Sequence, residues 1–318
     1  MEGPASVAQV TFALEFTEDP GAFLLRSGAL LEKDPVLNTV VATVTAGAIG
    51  KPAPEHPRWW LTVTDDAGEP VGVVMRTAPF APHPLYVLPF PEAAVPLVAE
   101  ALVGRGEDVS ALNGALPTTR LLATELARRT GRRAHVHEHT RLHVLKRLVE
   151  PRVAPDGRPR VAVPGDATLA LSWFRAFDAD AAAQAGRLEP QEGEQFDQGD
   201  IDARIAEGRI WLWEDMLGRP VSLVGFNAPA MGVARVGPVY TPGPDRGHGY
   251  ASVLTAHVSR VLRDSGARVC LFTDQANPTS NKIYAAIGYE PVVDMANLVI
   301  TRTISREVGR AVTRSARA

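Results

Sequence analysis

The chain repeats itself. Arg58–Val74 reads RWWLTVTDDAGEPVGVV and Arg209–Gly225 reads RIWLWEDMLGRPVSLVG, with Trp60 over Trp211, Gly68 over Gly218 and Pro70 over Pro220. Each block is an apolar strand, a turn with Asp and Gly, and a second strand, the pattern of a β-hairpin. A second matched pair follows: Ala115–Leu122, ALPTTRLL, and Ala276–Ile283, ANPTSNKI, with Pro117 over Pro278. Both segments open a helix at a proline, and both helices stop at a glycine, Gly131 and Gly288, before another strand-like run. Blocks that match in the same order imply two copies of one α/β unit, and 318 residues suffice for two domains of ordinary size. The expected division is a first domain over 1–150, a Pro- and Arg-rich linker over 151–164, and a second domain over 165–318.

Composition removes several classes of function. A net charge of -3 gives no basic field for nucleic acid or an anionic membrane. No apolar run of about 18 residues occurs, and the first residues lack the basic and apolar regions of a secretory signal. Cys270 is the only cysteine, so an intrachain disulfide is impossible. The expectation is a cytoplasmic protein with no nucleic-acid and no membrane partner, and a homodimer is allowed. His135, His137 and His139 share a face if they lie on a strand, but no Cys or carboxylate completes a familiar metal spacing. They are read as a solvated face, and no metal is expected. Cys270 reads as an apolar filler within a strand, and Trp59, Trp60, Trp211 and Trp213 as core packing.

The chemistry concentrates between Val233 and Val293. Val233–Tyr240, VARVGPVY, reads as a strand interrupted by Gly237 and Pro238. Proline donates nothing to a sheet ladder, so pairing lapses there and leaves nearby main-chain groups free for a ligand. The turn TPGPD follows, then Arg246-Gly247-His248-Gly249-Tyr250-Ala251. A helix begins here, with Ala251, Leu254, Val258, Val261 and Leu262 as its apolar stripe. Glycines ahead of a helix N-terminus let a ligand approach amides that lack helical partners and favour an anion such as a pyrophosphate. Arg246 adds a charge-assisted contact. The segment is neither a P-loop nor a dinucleotide fingerprint, because GxxxxGK[ST] and GxGxxG are both missing.

RGHGYAS resembles the Arg/Gln-x-x-Gly-x-Gly/Ala signature of the GNAT superfamily of acyl-CoA-dependent acetyltransferases, with GPVYTP before it and LFTDQANPTSNKIYAAIGYEPV after it. The resemblance is strong over about the last 110 residues. It implies an α/β (α+β) fold of two GNAT-like domains, each a mixed, mostly antiparallel twisted sheet flanked by helices. It also implies acetyl-CoA as co-substrate, held by Val239, Tyr240, Thr241, Arg246, Gly247, His248, Gly249, Tyr250, Ala251, Asn277 and Ser280. Tyr284 stands where the superfamily places the acid that protonates the departing thiolate. From spacing alone Tyr284 reads as a core aromatic beside Ile283 and Ile287, and Asn277 equally as a helix N-cap.

The first copy departs from the pattern. Leu85–Pro91, LYVLPFP, has no glycine loop, and Leu116 and Ala123 stand at the places of Asn277 and Tyr284. The expected reaction is therefore transfer of an acetyl group, in the second domain, to a primary amine on a small molecule or peptide. Glu214, Asp215, Asp274 or a water chain is the candidate base. A non-catalytic acyl-CoA-binding regulator and a mycothiol synthase-like acetyltransferase remain as alternatives.

Overall fold

A computed structural model describes residues 11–187 and 196–302. The first half runs β1 (Ala13–Thr17), α1 (Pro20–Lys33), α2 (Thr39–Ala48), β2 (Trp59–Thr64), β3 (Pro70–Arg76), β4 (Leu85–Val87), α3 (Val95–Gly104), β5 (Ala111–Ala115), α4 (Thr118–Thr130) and β6 (Arg132–Leu145). The second runs β7 (Arg158–Val161), α5 (Ala167–Gln184), α6 (Gln198–Ala206), β8 (Ile210–Glu214), β9 (Pro220–Phe226), β10 (Val233–Tyr240), α7 (Tyr250–Asp264), β11 (Arg268–Asp274), α8 (Pro278–Ile287) and β12 (Tyr289–Arg302). The two element orders are identical, as the repeated hairpins and Pro-started helices require. The segment read as a linker carries β7, which pairs with β8 from Arg158↔Glu214 to Val161↔Trp211. Its Pro and Arg content hid a four-residue strand at the sheet edge, where proline is tolerated.

All twelve strands join one sheet in the order β1-β2-β3-β4-β5-β12-β6-β11-β10-β9-β8-β7. The two last strands are exchanged: β12 pairs with β5 of the first half, and β6 pairs with β11 of the second. Between them β6 and β12 pair antiparallel along their full lengths, from Tyr289↔Leu145 to Arg302↔Arg132. Most neighbours are antiparallel; β4–β5 and β10–β11 are parallel.

The cores follow the exchange. Ala296, Leu298 and Ile300 of β12 are buried among Trp59, Leu112 and Leu122 of the first half. Leu145, of β6, packs on the core beneath α7 and α8. On α7 the buried apolar residues are Val253, Leu254, Ala256, Val258 and Leu262, with Thr255 and Ser259 buried beside them, whereas Val261 is 39% exposed. The inward face thus centres on Leu254 and Val258, with Val253 and Ala256 in place of the expected Val261. Cys270 is fully buried, and burial pushes its thiol up to about 11. Among the described residues no helix is long and apolar enough to cross a membrane.

Leu298 is 2% exposed inside the core of the half to which it does not belong in sequence. Leu298→Ala is expected to cost about 2–5 kcal/mol, the range for a deleted core side chain. Urea unfolding measures it, and an unchanged midpoint would contradict the exchange.

Candidate functional site

The site begins where two parallel strands part. β10 and β11 pair only from Val233↔Arg268 to Val236↔Leu271. The pairing of β10 with β9 then shifts register between Val236 and Val239, across Gly237 and Pro238. β11 continues beside β6 as far as Asp274↔Thr140. The strands therefore splay, and a cleft of about 970 Å³ fills the gap. Val239, Tyr240 and Thr241 line one lip, and Phe272, Thr273 and Asp274 the other.

The N-terminus of α7 closes one end. Gly247 and Gly249 have φ values of 84° and 85°, a region that residues with a side chain enter only at a cost, and Gly249 is the N-cap. The helical ladder starts at Val253, whose N–H donates to the Gly249 carbonyl at 3.2 Å, so the amides ahead of it leave the helix end. The loop is braced from behind: Arg219 donates to both oxygens of Asp245, at 3.0 and 2.8 Å. Arg246 donates to the Thr241 carbonyl at 2.9 Å and to Asp180 of α5 at 2.5 Å. Asp180 also accepts from the Tyr240 hydroxyl at 2.9 Å, and burial together with that carboxylate raises the Tyr240 phenol.

The start of α8 forms another wall. Asn277 caps it, accepting from the Thr279 and Ser280 amides at 3.1 and 3.2 Å, while the Ser280 hydroxyl donates to the Asn277 carbonyl at 3.3 Å. Asn281 donates to the Asp274 and Asn277 carbonyls, fixing the strand end to the helix. Tyr284 is 9% exposed, packs edge-on against Tyr289 at 6.0 Å, and also lines the cleft. Burial raises its phenol far above the ordinary value, so it holds its proton throughout the neutral range. Its ring is thus the core aromatic that its spacing predicts, and the same residue borders the cleft.

Of the residues expected around a carrier, all but His248 line this cleft; His248 is exposed, its ring 5.6 Å from that of Tyr250. Among the candidate bases only Asp274 lines it. Glu214 accepts from Arg160 at 2.5 Å and from Arg158 at 3.2 Å, and the Arg160 contact holds its carboxyl below the usual range. Asp215 accepts the Arg219 and Leu217 amides of its own turn, which lower it in the same way. Both are structural acids of the β8–β9 hairpin.

The cleft also reaches residues that sequence spacing did not bring together. Asn113 of β5, Asn297 of β12 and Glu138 of β6 lie on it, as do Asp180 and Arg187. No local motif marks them, because they meet only through the exchanged strands. The three strand-borne histidines do not line this cleft, and among the described residues no three potential metal-ligating side chains cluster.

The first half lacks such an opening at the equivalent place. After β4, Leu88 and Phe90 are buried at 2% and 7% exposure, and Ala123, fully buried, replaces the tyrosine. Hydrocarbon fills the region that stays open in the second half.

Residues 229–297 match the model of a family described as FR47-like protein. A GCN5-related N-acetyltransferase from Sphaerobacter thermophilus superposes with a TM-score of 0.57 at 17% identity, covering 90% of this chain and 94% of that one. A GNAT-family acetyltransferase from Colwellia psychrerythraea gives 0.56 at 12% identity, with coverages of 91% and 99%. A tandem GNAT protein from the clavulanic acid biosynthesis pathway gives 0.53 at 15% identity, with coverages of 92% and 100%. The chain shares the fold of these structures over most of its length. No curated protein matches it by sequence. At equivalent places the second copy has an open cleft and the first has buried hydrocarbon side chains.

The Asn277 cap predicts a measurable local cost. Asn277→Ala is expected to lose about 1 kcal/mol in urea unfolding, and Asn277→Asp, which can still cap, to keep most of it. Equal losses in the two variants would show that the cap contributes nothing.

Proposed function

We propose that the chain is an acetyl-CoA-dependent N-acetyltransferase acting on a primary amine, with the carrier bound in the second copy. In sequence this assigns residues 165–318 to the catalytic domain, 1–150 to the degenerate copy and 151–164 to the connection. One observation carries the reading: the splay of β10 from β11 opens directly onto the unpaired amides at the start of α7. Such a helix end suits a diphosphate. The parted strands offer main-chain groups of Val239 and Thr241 to an extended pantetheine arm and to the thioester oxygen. The GCN5-related neighbours and the FR47-like match support the acyl-transfer class.

In this reading the carrier supplies the activated acyl group, and the chain positions it. Gly247, Gly249 and the amides of Tyr250 and Ala251 hold the diphosphate, with Arg246 shared between it and Asp180. The neutral amine attacks the thioester carbonyl; the C–N bond forms and the C–S bond breaks. The thiolate takes the proton of Tyr284, whose high proton affinity keeps that proton available at neutral pH.

Titration of the purified chain with acetyl-CoA should give saturable heat in calorimetry. Gly249→Val, which puts a branched side chain at a left-handed position over these amides, should weaken that binding at least tenfold. Tyr284→Phe should leave binding unchanged and lower thiol release with an amine about 10²-fold or more. No heat with acetyl-CoA or CoA would remove the proposal. Heat without turnover of any amine would leave a non-catalytic acyl-CoA-binding protein.

A further inference from the structure

A row of polar side chains crosses the centre of the sheet. In register, Asn113 of β5 faces Asn297 of β12, and Asn297 faces Glu138 of β6. Asp274, at the end of β11, pairs with Thr140, two residues along β6 from Glu138 on the same face, and joins the row diagonally. These positions share a face with Met295, Leu142 and Cys270, which are apolar and buried. All four members of the row line the cleft.

The row is linked side chain to side chain. Asn297 Nδ2 donates to Glu138 Oε2 at 2.8 Å. Arg187 Nη2 donates to Glu138 Oε1 at 3.1 Å, and Arg187 Nη1 donates to Asp274 Oδ2. Two carboxylates, 14% and 10% exposed, thus share one guanidinium and leave one formal negative charge in a largely buried place. A charge so placed is resolved by a proton or by a second cation. The other end of the row points to a ligand independently: Asn113 Oδ1 is buried with no partner among the described residues. Strands lie about 4.8 Å apart, so Asn113 and Glu138 are about 10 Å apart across β12.

We infer that this row is the acceptor subsite and that Glu138, lent by the degenerate copy, is the base that takes the proton of the acceptor's ammonium. The inference rests on the acetyltransferase reading above. The acceptor it fits is a monocationic primary amine with a hydrogen-bond donor about 10 Å from its nitrogen, for the Asn113 oxygen. The step balances. R–NH3+ gives one proton to the Glu138 carboxylate, and R–NH2 attacks the thioester carbon. The thiolate takes the Tyr284 proton. The surplus proton on the new C–N nitrogen returns through water to the Tyr284 oxygen, and Glu138 releases its proton to solvent.

The surroundings suit Glu138 to this task. Burial is the main cause that raises its carboxyl; Arg187 opposes it and Asp274 adds to it. A carboxyl with raised proton affinity is the stronger base at neutral pH. The other charged groups on the cleft wall are Asp178 and Asp180 of α5, Asp245 and Arg246 of the loop, and Lys282 of α8.

The test uses the full chain, acetyl-CoA and a panel of diamines, amino sugars and amino-acid amides, read by thiol release between pH 6 and pH 10. For the best amine, kcat/KM of the wild type should fall on the acid side as Glu138 takes its proton. Glu138→Gln should lower kcat at least 10²-fold at neutral pH, replace that limb by one at higher pH that follows the amine's own deprotonation, and leave calorimetric acetyl-CoA binding unchanged. Asn113→Leu, which removes an unpartnered oxygen, should raise KM for the amine at least tenfold with an unmoved pH profile. This second variant tests the subsite even where Glu138→Gln does not fold. Wild-type turnover with a Glu138→Gln profile whose acid limb stays at the wild-type pH would overturn the assignment of Glu138 alone. An unchanged KM in Asn113→Leu would overturn the subsite. A wild type inert toward every amine, while binding acetyl-CoA, would overturn the acetyltransferase reading and this inference with it.

Discussion

The antiparallel pairing of β6 with β12 is the constraint on which the rest of the molecule depends. Each is the last strand of its half, and each also completes the other half's sheet. Neither copy can therefore close its own core: Leu298 is needed beneath α3 and α4, and Leu145 beneath α7 and α8. The exchange also removes the sheet edges that would otherwise meet solvent between the copies, leaving only β1 and the four-residue β7 at the ends. A short edge strand bearing arginine and proline gives little template for pairing with another chain. The pairing thus provides stability, and it sets residues of both copies side by side at the sheet centre.

Two copies with one topology differ in what they do because of a few side chains. Both have a parallel pair at the equivalent place, β4–β5 and β10–β11. In the first copy the hydrocarbon of Leu88 and Phe90 closes the space beyond the pair. In the second, Gly237 and Pro238 break the ladder, and Gly247 and Gly249 bring a helix end to the opening. Ala123 against Tyr284 repeats the contrast: a small filler in one core, a phenol with its body buried and its tip on the cleft in the other. Both copies nevertheless lend a last strand to the other's sheet.

What the sequence made legible was local. Hairpin turns, the proline-started α8, the glycine stop at Gly288 and the broken β10 each depend on residues near in sequence, and each appears where expected. The strand exchange does not: it is fixed by a register between positions as far apart as Glu138 and Asn297, 159 residues, which no local period reports. The same distance hid the polar row. Glu138 lies in a run, HVHEHT, whose alternation marks its histidines as one face and passes over the acid on the other. Glu214 drew attention by ending a strand beside the hairpin turn. Its partners Arg158 and Arg160 lie on a strand hidden in a Pro- and Arg-rich stretch, so its neutralisation could not be read in advance.

The contact between Arg246 and Asp180 shows how weak links can be useful at such a site. Both side chains are more than a third exposed, so their attraction is screened and contributes at most about 1 kcal/mol. A pair of that strength positions Arg246 across the mouth of the cleft without committing it. An anion at the start of α7 has unpaired amides and the helix dipole to offer in exchange, and the guanidinium has donors left over for both. Asp180 also accepts from the Tyr240 hydroxyl, a second tie between α5 and the splayed strand. The buried Glu138–Arg187–Asp274 contact obeys the opposite rule. There the charges are largely withdrawn from water, and removing one partner leaves a cost that only a proton or a cation can meet. One end of the cleft is thus built to exchange its partners easily, and the other to demand one of a particular sign.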